Sequence, residues 1–317
     1  MARNQAKQLT GSARRSWKTE FRRDWVVYLL FVPIIVYEII FHYLPMFGIV
    51  MAFEDYNVVD GYFHSPWVGL KHFIDLFSGE DFPQAIRNTV AIGLLRCTIG
   101  FVAPIIFALM LSLINSKKFK RACQTMSYMP NFVAAVIVCS LFTQFLAKDG
   151  PLTLFLAKVF GAENQNWLAN DQIPVFWVIY LLMGIWQSIG WGSIMYVAAI
   201  SQISGDLHEA AAIDGATRLQ RLFKITLPNI LPMIVMMFVI NIGTALVAGY
   251  DNILLLYMPS TYNVADTVYT YTYRQAFGGG NSNYSLSAAS GLFQSLISTI
   301  LLVASNALSR KTGSSLF

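Results

Sequence analysis

The chain has 317 residues and a mass of 35.5 kDa, is 56% hydrophobic and only 12% charged, and has a mean hydropathy of +0.52. Soluble domains carry about 25% charged residues, so the composition excludes a cytosolic enzyme or a disordered chain and predicts an all-α, polytopic membrane protein. The net charge of +5 supports no nucleic-acid role by itself; its distribution along the chain is the informative part.

In chain order, residues 1–24 form a polar, basic tail with Arg3, Lys7, Arg14, Arg15, Lys18, Arg22 and Arg23. The tail lacks the short apolar core and small-residue cleavage site of a signal peptide. Six apolar segments follow, at about residues 25–53, 87–115, 123–146, 175–200, 230–257 and 286–308. Each is long enough for one transmembrane helix, which takes about 20 residues, so a six-helix domain is expected over 25–310, with a tail at 311–317. Between the first two segments, residues 54–86 predict short surface helices, with Glu80 and Asp81 as an acidic run. Trp25, Tyr28, Trp167, Trp177, Tyr257 and Tyr262 fall near span ends, as interfacial anchors do. Between the last two segments, residues 278–283 read Gly-Gly-Gly-Asn-Ser-Asn, a flexible loop composition.

Basic residues orient the spans, because retained cytoplasmic loops are rich in Lys and Arg. The N-terminal tail, the loop with Lys117, Lys118, Lys120 and Arg121, the loop with Arg218, Arg221 and Lys224, and the end with Arg310 and Lys311 all fall on one side. The alternate loops hold only Lys71, Arg87, Lys148, Lys158 and Arg274. Both termini are therefore expected in the cytoplasm, with the basic tail against inner-leaflet lipid. Cys97, Cys123 and Cys139 are odd in number and lack CxxC spacing, so neither a disulfide framework nor a metal site is expected.

The segment at 201–228 is unusual for a membrane protein. Ser204 or Asp206 is placed to cap a first helical turn, and Gly215 permits a bend that a Cβ would disfavour. Leu219, Leu222 and Phe223 then recur at helical spacing, and Pro228 is expected to end the segment before the next span. The result is a helix-turn-helix knob suited to docking in a groove of a partner protein; the competing reading is an amphipathic anchor on anionic lipid, through Arg218, Arg221 and Lys224. Glu209-Ala210-Ala211, then Asp214-Gly215-Ala216, then Phe223, Ile225, Leu227 and Pro228 resemble the EAA loop of ABC importer permeases, whose coupling helix contacts the ATPase subunit. The Asp-Gly-Ala variant is similar to that of carbohydrate permeases of the maltose-transporter type. Agreement extends to Trp67-Val68-Gly69-Leu70 with Phe73, to Arg87-Asn88-Thr89 and to residues 250–257. The regions at 44–48 and 65–67 resemble, more narrowly, permeases for polysaccharide and pectic oligosaccharide uptake; Met258 stands where such relatives often have Asn.

The resemblance implies a type I importer permease core with six spans in the bacterial cytoplasmic membrane. It also implies an ATPase pair that binds ATP and Mg, an external substrate-binding lipoprotein, a second, homologous permease subunit and an oligosaccharide substrate. Loops 54–86 and 148–174 would then face the binding protein. Glu209 and Gly215 are the residues the resemblance assigns to coupling, with Asp214 either contributing or capping the second helix.

Charged and amide side chains in spans mark protein or water-lined surroundings. Glu38 and Arg96 suit a helix-fixing pair, while Asp251 lies beside Tyr250 and Asn252. Sugar sites combine aromatic platforms with amide or carboxylate hydrogen bonds, which makes Trp186 and Tyr250 candidate platforms and Asn131, Gln187, Asn241, Asp251 and Gln294 candidate hydrogen-bonding groups. Helix–helix hydrogen bonding is the competing role for each. No GxxxxGK[ST] loop is present, so ATP hydrolysis is assigned to another subunit and this chain to no catalysis. An ion-coupled carrier or channel using Glu38 and Asp251 leaves the knob unexplained. A membrane enzyme lacks a suitable base: His42, His64, His72 and His208 show no HExxH spacing.

Overall fold

The computed structural model describes residues 17–244, 250–279 and 282–310. Residues 1–16 of the expected tail at 1–24, the expected tail at 311–317, and residues 280 and 281 of the Gly/Asn loop lie outside these. The chain divides into two compact units, Met1–Val50 and Met51–Phe317.

In the first unit, helix α1 (Trp17–Glu38) begins within the stretch expected to be a tail. Asp24 interrupts it with φ −105° and ψ 18°, and the Arg23 guanidinium closes on the Asp24 carboxylate at 3.0 Å. Pro33 is accommodated inside the helix, and a π turn at Ile39–Tyr43 carries the chain onward. Glu38 lies 3.3 Å from Nδ1 of His42, one turn away. Within its own unit its partner is thus this histidine.

The second unit is helical apart from one antiparallel bridge between Glu54 and Trp67 among the described residues. Its elements are α2 (Lys71–Ser78), α3 (Asp81–Leu95), α4 (Phe101–Leu113), α5 (Lys117–Tyr128), α6 (Ala135–Leu146), α7 (Pro151–Phe160), α8 (Val175–Ser201), α9 (Gly205–Ile213), α10 (Arg218–Arg221), α11 (Leu227–Thr244), α12 (Tyr250–Leu256), α13 (Tyr262–Ala265), α14 (Val268–Phe277) and α15 (Tyr284–Arg310). Among the described residues, five helical stretches are long and apolar enough to cross a membrane: Arg23–Phe53, Asp81–Leu113, Val175–Ser201, Arg218–Ile242 and Tyr284–Ala307. A bent pair, Lys117–Phe132 with Ala135–Leu146, makes the sixth if taken as one span.

Three spans differ in outline from expectation. The second begins at Asp81 and contains a π turn at Arg96–Gly100, so Arg87, Asn88 and Thr89 lie within the helix. The third is broken at 97°, because Pro130 sits in a 3-10 turn and Val133 and Ala134 are extended; proline supplies no amide hydrogen to continue the ladder. The fifth starts earlier, at Arg218, and ends its apolar stretch at Ile242, while α12 is a separate helix. Pro228 does not end the segment before it. A π turn at Leu222–Thr226 joins α10 to α11, and Asn229 Nδ2 donates to the carbonyl of Ile225 at 2.8 Å. A π turn shifts the hydrogen-bond ladder by one residue, and α11 continues through the proline.

Helix α8 is the central element. It packs most extensively against α4 and also meets α5 and α11. Gly190 lies against the backbone of Ser127, where an added Cβ would collide with the Ser127 carbonyl. One apolar core, with Val138, Phe176, Met183 and Leu256, joins α6, α8 and α12. A second, with Phe101, Tyr196, Leu222 and Ile230, joins α4, α8 and the α10–α11 junction. A third, with Leu76, Phe82, Val268 and Tyr271, lies among α2, α3, α14 and α15.

At that third core, the Arg87-Asn88-Thr89 run brackets the stretch that leads into α14. Fully buried Asn88 donates through Nδ2 to the carbonyls of Asn263 (3.1 Å) and Asp266 (2.9 Å). Thr89 Oγ1 accepts from the amide of Val268 at 2.8 Å. Asp266 is 3% exposed; its carboxylate accepts from Thr270 Oγ1 and, at 2.6 Å, from Arg274 Nη2. Burial pushes the Asp266 carboxyl above the usual carboxylate range, while the bonds from Thr270 and Arg274 oppose that shift. The Arg274 guanidinium also stands over the rings of Tyr262 and Tyr271, at 4.7 and 5.4 Å.

Removing the cation from this pair leaves a buried carboxylate with no counter-charge. Arg274→Met is therefore expected to lower unfolding free energy by about 3 kcal/mol. Asp266→Asn in the Arg274→Met background should recover most of that loss. Thermal unfolding of the purified variants measures both; equal midpoints for the single and double variants contradict the pairing.

Candidate functional site

Two regions of the second unit combine polar chemistry with accessible shape. The first is the knob at 201–228. Ser204 Oγ accepts from the Asp206 amide at 3.2 Å and caps α9, which selects Ser204 over Asp206 as the cap. The helix ends in a Schellman arrangement: the Gly215 amide donates to the Ala212 carbonyl at 3.1 Å and the Ala216 amide to the Ala211 carbonyl at 2.9 Å. Gly215 has φ +79°, a left-handed conformation that costs other L-residues about 1–2 kcal/mol. Asp214 is the C-cap of α9 and does not cap α10. That role falls to Thr217, whose hydroxyl accepts from the Gln220 amide while Gln220 Oε1 accepts from the Thr217 amide. The sequence reading missed this capping box, although Thr217 followed at three residues by Gln220 was its signature.

Arg221 fixes the two arms of the knob: its Nη1 donates to the His208 carbonyl at 3.2 Å. The outer surface of the knob exposes Glu209, Ala210, Ile213 (86% exposed), Asp214, Leu219, Phe223 and Pro228. Ala211, Ala216 and Leu227 are half-buried. A groove of about 350 Å³ runs along the bend, lined by residues including Ala211, Asp214, Gly215, Ala216 and Ile225. The knob thus presents an acidic group and large apolar side chains on a bend with defined caps.

The second region is a cavity of about 460 Å³ between α4, α8 and α11. Gln187 and Asn241 line it, as do Arg96, Tyr180, Ser188, Trp191 and Asn252. Gln187 Nε2 also donates to the Val133 carbonyl at 3.3 Å, at the break between α5 and α6. Of the remaining candidates, Asp251 is exposed on α12. Trp186 is 44% exposed, its ring 5.9 Å from that of Phe142. Asn131 lies half-buried in the 3-10 turn at Met129–Phe132, and Gln294 is buried in α15. None of these four is among the described lining residues. Tyr250 begins α12, but its side chain lies outside the described residues.

The charge in the cavity is therefore Arg96, and no carboxylate belongs to the described lining. The sequence flagged Arg96 as costly inside a span but assigned it to pairing with Glu38. Asn252 was singled out only with Tyr250, as a polar and aromatic cluster around Asp251 suited to a sugar, and Tyr180 gave no separate signal, being an ordinary residue in an apolar helix.

Residues 100–314 match the family of binding-protein-dependent transport system inner membrane components. Over 287 residues the chain is 39% identical to the polygalacturonan/rhamnogalacturonan transport system permease protein YteP of Bacillus subtilis, covering 90% of this chain and 88% of that one. It is 35% identical over 304 residues to the protein LplB of the same organism, covering 96% and 94%. Among solved structures, it superposes on a chain of the bacterial alginate ABC transporter in complex with alginate pentasaccharide-bound periplasmic protein, with TM-score 0.85 and 37% identity over 95% of this chain and 99% of that one.

A helical core of five spans, or six with the bent pair, together with the capped knob is consistent with a permease of the type I importer class. The chain belongs to the family of binding-protein-dependent transport system inner membrane components. It is a non-catalytic, multi-pass permease subunit of the bacterial plasma membrane, and the family implies a partner ATPase and a substrate-binding protein. Membership displaces the carrier or channel reading built on Glu38 and Asp251.

The backbone at Gly215 supplies a stability test. Gly215→Val should lower unfolding free energy by about 1–2 kcal/mol, whereas Glu209→Lys, an exposed change, should stay within about 0.5 kcal/mol of the wild type. Thermal unfolding separates the two; a destabilised Glu209→Lys would mean that Glu209 supports the fold.

Proposed function

We propose that the chain forms half of the translocation pathway of an ATP-driven importer for oligosaccharides, with the knob as its ATPase-coupling element. The observation that carries the coupling role is the capped bend at Gly215, which displays Glu209, Ile213 and Phe223 outward. Exposed apolar residues grouped on a bend suit insertion into a protein groove. The distribution of basic residues supports a cytoplasmic location for this face and for both ends of the chain. An external binding protein then meets the loops at 54–86 and 148–174, two ATPase subunits receive the knobs, and a second, homologous permease chain supplies the other half of the pathway.

The cavity bounds the substrate class. Tyr180 and Trp191 offer apolar ring faces, and Gln187, Ser188, Asn241 and Asn252 offer hydrogen bonds, the combination that sugar rings require. Arg96 adds a positive charge to the lining, which suits a sugar carrying carboxylates. The relatives named for polygalacturonan/rhamnogalacturonan and alginate transport support an acidic oligosaccharide. Delivery by the binding protein and the power stroke of the ATPase then alternate access to this cavity. This chain holds the sugar through neutral donors and balances its charge with Arg96.

Two measurements test the proposal. The tagged wild-type chain, purified from its native membrane, should bring down an ATPase and a second permease chain, and Glu209→Lys and Gly215→Pro should both lose the ATPase while retaining the permease partner. If the chain elutes alone and the variants match it, the knob is a lipid anchor. In reconstituted vesicles, Arg96→Gln should reduce uptake of a uronate-containing oligosaccharide at least about tenfold, the scale of losing one charged hydrogen-bonded contact, and reduce uptake of a neutral one less. Asn241→Ala should weaken both; unchanged uptake in both variants would remove the cavity from the pathway.

A further inference from the structure

Behind the knob lies a second polar cavity that neither the coupling role nor the translocation pathway uses. It encloses about 410 Å³ where the ends of α4 and α8 meet the start of α5 and the two arms of the knob. Lys120, His208, Arg218 and Arg221 line it. Among the described residues no carboxylate lines it, and Lys120, Arg218 and Arg221 make no ion pair. Arg221 also lines the adjacent groove, where Asp214 is present.

The remaining lining places the cavity at a membrane boundary. Leu113 and Ile200 lie at the ends of α4 and α8, Leu222 and Thr226 belong to the π turn that leads into α11, and Ser112, Asn115 and Ser201 add hydroxyl and amide groups. Arg221 is the most informative member: one of its terminal nitrogens holds the His208 carbonyl, but its Nε is buried with no hydrogen-bond partner. A buried guanidinium donor left unpaired is destabilising, and clustered cations repel one another. An oxyanion in the cavity relieves that repulsion, since a phosphate accepts from the terminal nitrogens of an arginine and from neighbouring lysines together.

We infer that this cavity binds a phosphate-bearing anion, as a phospholipid headgroup or as free phosphate, and that occupancy clamps both arms of the knob to α5. Lys120 reaches from α5, the carbonyl of His208 is held through Arg221, and Arg218 lies at the start of the second arm. One bound anion therefore bridges the element that meets the ATPase and the helix that leads into the broken span. Its occupancy sets how stiffly the knob is attached. The site stands on the geometry alone; only its effect on turnover rests on the transporter reading above.

The test uses the full chain in its native assembly, reconstituted in three ways: in phosphatidylcholine, in an equal mixture of phosphatidylcholine and phosphatidylglycerol, and in phosphatidylcholine with added inorganic phosphate. The variants are Lys120→Gln with Arg218→Gln in the cavity, and Lys117→Gln with Lys118→Gln on the same helix but outside it. Native mass spectrometry counts anions retained on the chain itself, so it answers whether or not an ATPase assembles, and substrate-stimulated ATP hydrolysis is the second readout. Retention of phosphatidylglycerol identifies a headgroup site, and retention of phosphate in the third arm identifies a soluble anion. In either case the cavity variant should lose retention, and any anion-dependent gain in hydrolysis, by at least about fivefold, with the outside variant unchanged. No retention in any arm, or equal loss in both variants, overturns the inference.

Discussion

The unbroken course of α8 is the constraint on which the rest of the second unit depends. Hydrocarbon offers no hydrogen bonds, so a spanning backbone must satisfy itself, and α8 does so over 27 residues without a proline or a π turn. Around it, less regular elements are tolerated because they lean on protein. The π turn at Arg96–Gly100 brings Arg96 and Gly100 to the cavity, and the break at Val133 is met by the Gln187 side chain of α8. The close approach of Gly190 to Ser127 fixes the distance between α8 and the bent pair. This helix contributes to two apolar cores and also supplies Tyr180, Gln187 and Trp191 to the cavity, with Tyr180 belonging to both a core and the cavity. Its C-terminal end delivers the chain directly to the knob.

Polar groups inside the unit follow a consistent rule. Where the backbone is irregular, a side-chain amide or hydroxyl closes the gap: Asn88 on two carbonyls before α14, Trp177 Nε1 on the Val264 carbonyl at 2.7 Å, and Asn229 on the carbonyl opened at the π turn. Each such bond is worth about 1 kcal/mol net, yet its absence would strand a buried carbonyl at greater cost. The charges fall elsewhere. Asp266 and Arg274 are paired beside the third core, whereas Lys120, Arg218 and Arg221 line a single cavity that has no carboxylate in its described lining.

Much of this was legible in the chain. Hydropathy located all six apolar regions, because twenty consecutive apolar residues have few other uses, and the spacing around Glu209 and Gly215 delineated the knob before any coordinates. What was illegible had a common cause. Pro130 and Pro228 look alike in sequence, as prolines near the start of apolar runs, but one accompanies a 97° break and the other rides within a continuous helix. The difference lies in the π turn before Pro228 and the Asn229 amide beside it, which no local propensity encodes. Similarly, Asp251 and Arg96 were both conspicuous charges in apolar stretches. Only three-dimensional packing places Arg96 in the cavity and Asp251 on an exposed surface of α12, because that choice depends on which side of each helix meets its neighbours.

The continuity of the chain through Pro228 has a mechanical consequence. From Leu222, at the base of the knob, to Asn241, in the cavity wall, the chain is one continuous helical stretch of about 28 Å at 1.5 Å per residue. Its weak points are the π turn at Leu222–Thr226 and Pro232, where the ladder of backbone hydrogen bonds is shifted or interrupted. A shove against the base is passed toward the far end, shared between rotation of the whole stretch and flexing at those two points. The ridge of Ile230 and Leu222 against Phe101 and Tyr196 is where the rotation would bear.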